Sequence, residues 1–395
     1  QPDDKELGYI SDMVKQSLEE GAVGFSTSRF LLHTVPDGRC TPGTWADLRE
    51  TKAIQEAIIA GGGQGAIFQS ANDMQTRYET ELQMFRDATE MGCQVLFSGG
   101  TGAEGDGGVT RWSEFFEEQN SGGKRLASIC HTRPSGAFFG LAQLSPFTKK
   151  STAWRDLMAL PTIAARVEAI KNPATRATLV AEGIAAGDMT QLAHMLHPFG
   201  MEDTPNLDFN RKASLQQLAT EAGKDPVEVY VDRLAASQGR EFFNFWMFGG
   251  NLENQWKYMQ LPHVVPMLGD AGAHVGFFTD TDSPTVLLSE LTREQGVYTL
   301  PEAIHRITGK SAEIIGLKER GELREGWHAD INIIDYENLS TCQPEYVNDF
   351  PHGGGRFIVK SQGYDATIVA GQVVVENCKH TGQRPGQVIR DFVRG

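Results

Sequence analysis

Apolar residues near the start of the chain fall at Leu7, Ile10, Met13, Val14 and Leu18, a spacing that gathers them on one face of a helix. Asp3 or Asp4 offers an N-cap and Gly21 a stop, so the pattern predicts a helix over 4–20. The period then changes. Short apolar runs at Ala22–Ser26, Ala66–Ser70, Gln94–Ser98, Leu126–His131 and Val264–Asp270 predict five strands, with helical spacing after each of the last four. Strand and helix in alternation predict an α/β fold around a parallel sheet. Between the last two strands, residues 145–260 read as a long, mostly helical insertion. Its periodic positions are Leu157, Leu160, Ile163, Val167 and Ile170, and the aromatic stretch Phe242–Phe248 lies near its end. A further helix is predicted over 301–316. Beyond about Leu317 the pattern belongs to strands: an alternating run at Ile331–Asp335, then strand, tight turn and strand within Tyr364–Val375.

A chain of 395 residues can hold one large domain and one small one. Its 36 Lys and Arg against 51 Asp and Glu give a net charge of −15, with no basic stripe. That argues against nucleic acid and an anionic membrane surface as partners. No apolar stretch has the length of a membrane span. The five cysteines (Cys40, Cys93, Cys130, Cys342 and Cys378) lie far apart with no Cys-x-x-Cys pair, which reads as free thiols in a reducing compartment and makes the cytoplasm the expected location. Gly61-Gly62-Gly63 and the loop 99–108 lack the Lys-Ser/Thr ending of a phosphate loop.

Chemistry is expected at the carboxyl ends of parallel strands. There the sequence delivers Ser26, Ser70, Ser98 with Gly99, His131 with Arg133, and Asp270 with His274. Asp270, in Leu268-Gly269-Asp270-Ala271-Gly272, is the leading catalytic candidate, the alternative being a turn carboxylate. Arg133 can grip an oxyanion or carboxylate bidentately, or serve as a structural ion-pair partner. His131 reads as a metal ligand, an acid or a hydrogen-bonded loop residue, and His274 as a ligand, a partner of a ligand or a helix cap. His194 and His197 have i,i+3 spacing, which on a helix puts both on one face. Ser26 makes no Gly-x-Ser-x-Gly elbow, because position 28 is Ser.

The blocks Gly321–Asp330, Tyr364–Val375 and Thr381–Gly386, in that order after the strand-end Asp270, resemble the C-terminal part of the metal-dependent amidohydrolase superfamily. Within it they are most similar to N-acyl-D-amino-acid deacylases (D-aminoacylases), and Gly21-Ala22-Val23-Gly24-Phe25-Ser26-Thr27 resembles one of their barrel-strand blocks. The resemblance implies strands four to eight of a (β/α)8 TIM-type barrel over 1–316 and a small β-sandwich domain over 317–395. It implies that Asp270 is a metal ligand and general base in hydrolysis of a C–N bond of an amide, imide or carbamate; His274, four residues on, is the candidate second ligand of that metal from its position alone. Ser70 and Gly99 stand where the deacylases carry metal-binding histidines, and neither residue is a useful zinc ligand. The expectation is therefore about one zinc ion, with Ser70, His131 and Arg133 left for substrate contact. The family's His-x-His motif does not occur among the ten histidines. A segment ahead of this chain, or a second chain in a homo- or hetero-oligomer, is expected to supply it and complete the barrel. The deacylases' substrate-gripping Arg has no counterpart in Val275–Val286. A small-molecule substrate is expected, and the alternative reading is a metal-free pseudoenzyme acting as a scaffold or binding subunit.

Overall fold

A computed structural model describes the chain except residues 32, 36–38, 103, 143, 200–212, 267, 268, 270, 271, 394 and 395. The first helix, α1 (Asp4–Glu19), begins at Asp3, whose carboxylate accepts from the Glu6 amide while Glu6 reaches back to the Asp3 amide. Three strand–helix pairs follow: β1 (Gly24–Ser28) with α2 (Leu48–Gly62), β2 (Ile67–Ala71) with α3 (Tyr78–Glu90), and β3 (Gln94–Ser98) with α4 (Val109–Gln119). Then come β4 (Arg125–Ile129), β5 (Phe138–Phe139), β6 (Leu196–Phe199), β7 (Phe242–Phe245) and β8 (Val264–Val265).

β1, β2, β3, β4 and β8 form one parallel sheet in that order. Its two faces are distinguished by parity. Phe68, Val95, Phe97, Leu126 and Val264 point into a core shared with Leu18, Ile58, Phe85, Trp112 and Phe116 of the helices. Phe97 lies 4.9 Å from Phe85 and 5.0 Å from Trp112, ring centre to ring centre. On the other face, Ser26, Gln69, Leu96 and Ala127 are in register, and the Ser26 hydroxyl donates to the Gln69 amide oxygen. Ile314 closes that face from below, against Ala127 and Val265.

The insertion is mostly helical and also carries strands: β6 and β7 pair with β5 in an antiparallel sheet, so Phe242–Phe245 is a strand. Its helices enclose a second core around Trp154, Leu179, Tyr230 and Phe243. One part differs from the sequence expectation. The predicted helix over 301–316 is two, Leu300–Ile307 and Gly309–Ile315, broken at Thr308. Toward the C-terminus Ile331–Ile334, Tyr364–Val369, Gln372–Glu376 and Lys379–His380 form an antiparallel sheet. Ala370 and Gly371, both left-handed at φ 48° and 76°, make the two-residue turn that antiparallel twist favours. Among the described residues no helix is long and apolar enough to cross a membrane.

Candidate active site at the carboxyl ends of the strands

The loop leaving β1 is anchored from below. Arg29, 1% exposed, donates from Nε to both carboxylate oxygens of Glu81 at 2.8 and 2.9 Å, and from Nη1 to the Ala46 carbonyl at 2.6 Å. Burial raises the Glu81 pKa despite the guanidinium beside it. Arg77 adds bonds to the Arg29 and Thr44 carbonyls. This fixed loop carries Ser28, Phe30 and His33. The Ser28 hydroxyl and His33 Nδ1 are 2.5 Å apart, and Phe30 packs edge-on to the His33 ring at 5.3 Å.

The loop after β8 comes to meet it. Asp270 lies outside the described residues, but its neighbour Gly269 is placed. A Cβ on Gly269 would sit 2.7 Å from the Asp280 carbonyl oxygen, so only glycine admits that approach. His274 takes a left-handed backbone, φ 51°, and its carbonyl accepts from the Phe277 and Phe278 amides, both at 2.9 Å. The His274 ring stands 5.5 Å from the His33 ring. From there ring contacts run on both sides: His274 to Phe277 and Phe278, and His33 through Phe30 and Phe248 to His131 after β4. The rim thus joins the ends of β1, β4 and β8, although β1 and β8 are opposite edges of the sheet.

Beside that rim lies a buried charge cluster. Arg133, 2% exposed, places Nη2 2.8 Å from Asp280 Oδ1 and 3.2 Å from Asp282 Oδ1, and donates to the Thr279 carbonyl at 3.1 Å. Ser135 donates its hydroxyl to Asp280, and Thr341 to Asp282 at 2.9 Å. His131 Nδ1 is 3.8 Å from Asp280 Oδ2. Burial works against the charge on Arg133, but Asp280 and Asp282 outweigh it and raise its pKa. Arg133 thus faces two carboxylates, with His131 beside them. The cluster therefore ties Arg133 into the protein.

Ser70 is not brought into this group. It shares parity with Phe68 and faces the helices, fully buried, with only a 3.5 Å contact from its hydroxyl to the Ala71 carbonyl. The residue that β2 presents on the opposite face is Gln69. Beside Gly99 the space is filled: a Cβ there would meet Ser128 Oγ and Tyr258 Oη at 2.2 Å each. Those two hydroxyls bond to each other at 2.8 Å, and burial raises the Tyr258 pKa well above its usual value. His194 and His197 do not share a helix face. His194 is exposed beyond the short helix Met189–Leu192, whereas His197 belongs to β6 and stacks on Trp246 at 3.4 Å.

His33, Asp280 and Asp282 were not singled out from the sequence. His33 and His274 are remote along the chain, so no spacing rule pairs them. The pair Asp280-Thr281-Asp282, just before Ser283-Pro284, reads as ordinary helix-start chemistry. Among the described residues no three His, Cys, Asp or Glu side chains converge as a metal donor set. His33 and His274 do bring two imidazoles together, which suits zinc and related borderline cations as part of a donor set.

Comparison with known proteins places these features. Residues 6–375 match the model of the amidohydrolase family. A stretch of 105 residues is 38% identical to N-acyl-D-aspartate deacylase of Alcaligenes xylosoxydans xylosoxydans, covering 27% of this chain and 19% of that protein. Another of 94 residues is 34% identical to a dihydroorotase of Endomicrobium trichonymphae, covering 23% of this chain and 21% of that one. Among solved structures, a D-aminoacylase described by the functional role of its binuclear metal centre is similar with a TM-score of 0.55 and 18% identity, over 97% of this chain and 65% of its own. N-acyl-D-glutamate deacylase from Bordetella bronchiseptica, complexed with zinc and a phosphonate inhibitor, gives 0.55 and 20%, over 99% and 67%. The chain thus spans about two thirds of the length of these solved relatives and aligns with about a fifth of each curated one. By a match that runs through nearly all of its length, the chain belongs to the amidohydrolase family.

Proposed function

We propose that this chain carries the catalytic end of a metal-dependent hydrolase that cleaves a C–N bond of an amide, imide or carbamate, in the manner of N-acyl-D-amino-acid deacylases. The observation that carries the proposal is the family match over residues 6–375. In support, the two deacylases similar in fold are described with metal. The five-stranded sheet is read as strands four to eight of a (β/α)8 barrel over 1–316, followed by a small β-sandwich domain over 317–395. Four strand spacings of about 4.8 Å would hold the edges of a flat sheet some 19 Å apart. The contact between the loops after β1 and β8 favours a curled one.

A bound zinc ion would supply a water of lowered pKa and polarise the scissile carbonyl. Asp270 would help to hold the metal and would serve as the base that carries a proton to the leaving nitrogen. His274 is assigned to the same metal. A His-x-His pair from a further segment or a partner chain completes the donor set in this reading. Arg133 is engaged by Asp280 and Asp282, so in this reading it is not needed to grip a substrate carboxylate, and substrates with and without one are both included. His131 and Ser135 are positioned with it.

The test is a hydrolysis screen of N-acyl-D-amino acids, cyclic imides and carbamates, each run with and without chelator. Chelator-sensitive turnover of one class, lost in Asp270→Asn, is the expected result. Failure of every class on metal-loaded protein would leave the pseudoenzyme as the better account.

A further inference from the structure

We propose that the segment 341–358 is a strap that positions the loop after β8, with Thr341 and Phe357 as its two points of attachment. Its body is the hairpin formed by Glu345–Val347 and Arg356–Ile358. Among the described residues between Val265 and Asp280 there is neither helix nor strand, so the loop that carries His274 has no ladder of its own. The main-chain groups of such a stretch must find partners on other segments or in water. Here partners come from two sides. From the chain after β4, Phe138 donates its amide to the Phe277 carbonyl at 2.8 Å, Arg133 donates to the Thr279 carbonyl at 3.1 Å, and Thr132 Oγ1 lies 3.0 Å from Ser283 Oγ. From the strap, Phe357 donates its amide to the Val275 carbonyl at 2.7 Å, and Thr341 donates its hydroxyl to Asp282 at 2.9 Å.

The strap is itself held. Tyr346 and Phe357 are partners across the hairpin, and the Phe357 ring, 5% exposed, lies 5.1 Å from Tyr346, 4.9 Å from Phe242 and 5.8 Å from Phe138, ring centre to ring centre. An anchored ring fixes where its own amide points, and that amide meets the residue next to His274. His274 needs such a hold. Its φ of 51° is uncommon outside glycine, and a backbone in that region persists where its surroundings over-determine it. The Phe277 and Phe278 amides close the turn on the His274 carbonyl, and the Phe357 amide holds it at Val275 from outside. Phe357 thus joins three parts that are remote in sequence: the insertion, the loop after β8 and the strap.

The strap rests on the hydrolase reading only for the role that reading gives His274, and hydrogen exchange of the full chain, followed by peptide mass spectrometry, tests it without a substrate. Phe357→Ala removes the ring anchor, and exchange in peptides covering 272–283 should rise at least ~10-fold while peptides from β2 and β3 exchange as in the parent. Phe357→Leu keeps an apolar anchor and should restore most of the protection. Thr341→Val removes only the hydroxyl that reaches Asp282 and should loosen the same peptides about 5-fold, the worth of one hydrogen bond. Thr341→Ser should return them to the parent. Faster exchange confined to 341–358 in both Phe357→Ala and Thr341→Val overturns the proposal. If Phe357→Ala also loosens β2 and β3, the two Thr341 variants decide alone. Where a C–N substrate is turned over, kcat should fall as the loop loosens and recover in Thr341→Ser; unchanged turnover with a loosened loop overturns the positioning role. A loop that loosens as expected in a protein that turns over no C–N substrate leaves the strap standing and the hydrolase reading without support.

Discussion

Arg133→Met tests whether the buried cluster is structural. The guanidinium is 2% exposed, and its removal takes away the cation that faces both Asp280 and Asp282, which are 3% and 6% exposed. Breaking a buried pair by removing one partner costs about 3–5 kcal/mol, because the remaining charge is orphaned. Here Ser135 still donates to Asp280 and Thr341 to Asp282, so the lower end, about 3 kcal/mol, is expected at pH 8. With an unfolding entropy of about 2.1 cal/mol/K per residue over the whole chain, that is a fall in Tm of about 4 °C. The loss should depend on pH. Buried carboxylates without a cation have pKa values above the unfolded value near 3.9. The folded variant then binds more protons than the unfolded chain, so its penalty is small at acid pH and grows as pH rises through the raised value. Melting curves of both proteins at pH 5 and pH 8 should show the wider gap at pH 8. Adding Asp280→Asn should recover part of the loss by removing one orphaned charge. A gap under 1 °C at pH 8, or the same gap at both pH values, would refute the structural role. Unchanged melting with a raised KM would mean that Arg133 grips substrate.

Gly99→Ala should cost about 1–3 kcal/mol by forcing a methyl group onto Ser128 Oγ and Tyr258 Oη, and Ser128→Ala with Tyr258→Phe should relieve most of that in thermal melts. Tyr258→Phe alone should cost about 1 kcal/mol, the usual net worth of one hydrogen bond, read by urea unfolding. Asp270→Asn should lower turnover at least ~10²-fold with melting little changed, whereas a drop of about 1 kcal/mol in stability with full activity would make it a cap. Burial pushes the Cys93 thiol up to about 12 and raises Cys130 further, so iodoacetamide at pH 8 should modify exposed Cys378 and spare both in the folded protein, as peptide mass spectrometry would show.

Most of the parallel sheet was legible because each of its strands writes a local signal. A short apolar run bounded by turn residues identifies β1 to β4 within two residues at each end, and the α1 stripe with its Asp3 cap needs no tertiary context. What the sequence left open depends on contacts between remote positions. β6 and β7 pair through Leu196–Phe199 and Phe242–Phe245, so strand structure inside a helical insertion shows only when both are placed. His194 and His197 look like one helix face until the helix is seen to stop at Leu192. His33 and His274 meet because loops from opposite edges of the sheet converge, which no local spacing encodes.

Ser70 is a different case, because there the needed information was local. A strand end fixes how high a residue stands in the sheet; parity fixes which side it faces. With Phe68 in the helical core, period-two alternation sends Ser70 the same way and turns Gln69 to the opposite face. The bond from Ser26 to Gln69 marks that face. Gln69, with an amide that can both donate and accept, is therefore the residue of β2 to test for substrate contact. Gln69→Ala should alter KM in any activity found for this chain, while Ser70→Ala should act on stability alone. The reverse pattern would mean that the strand is read on the wrong face.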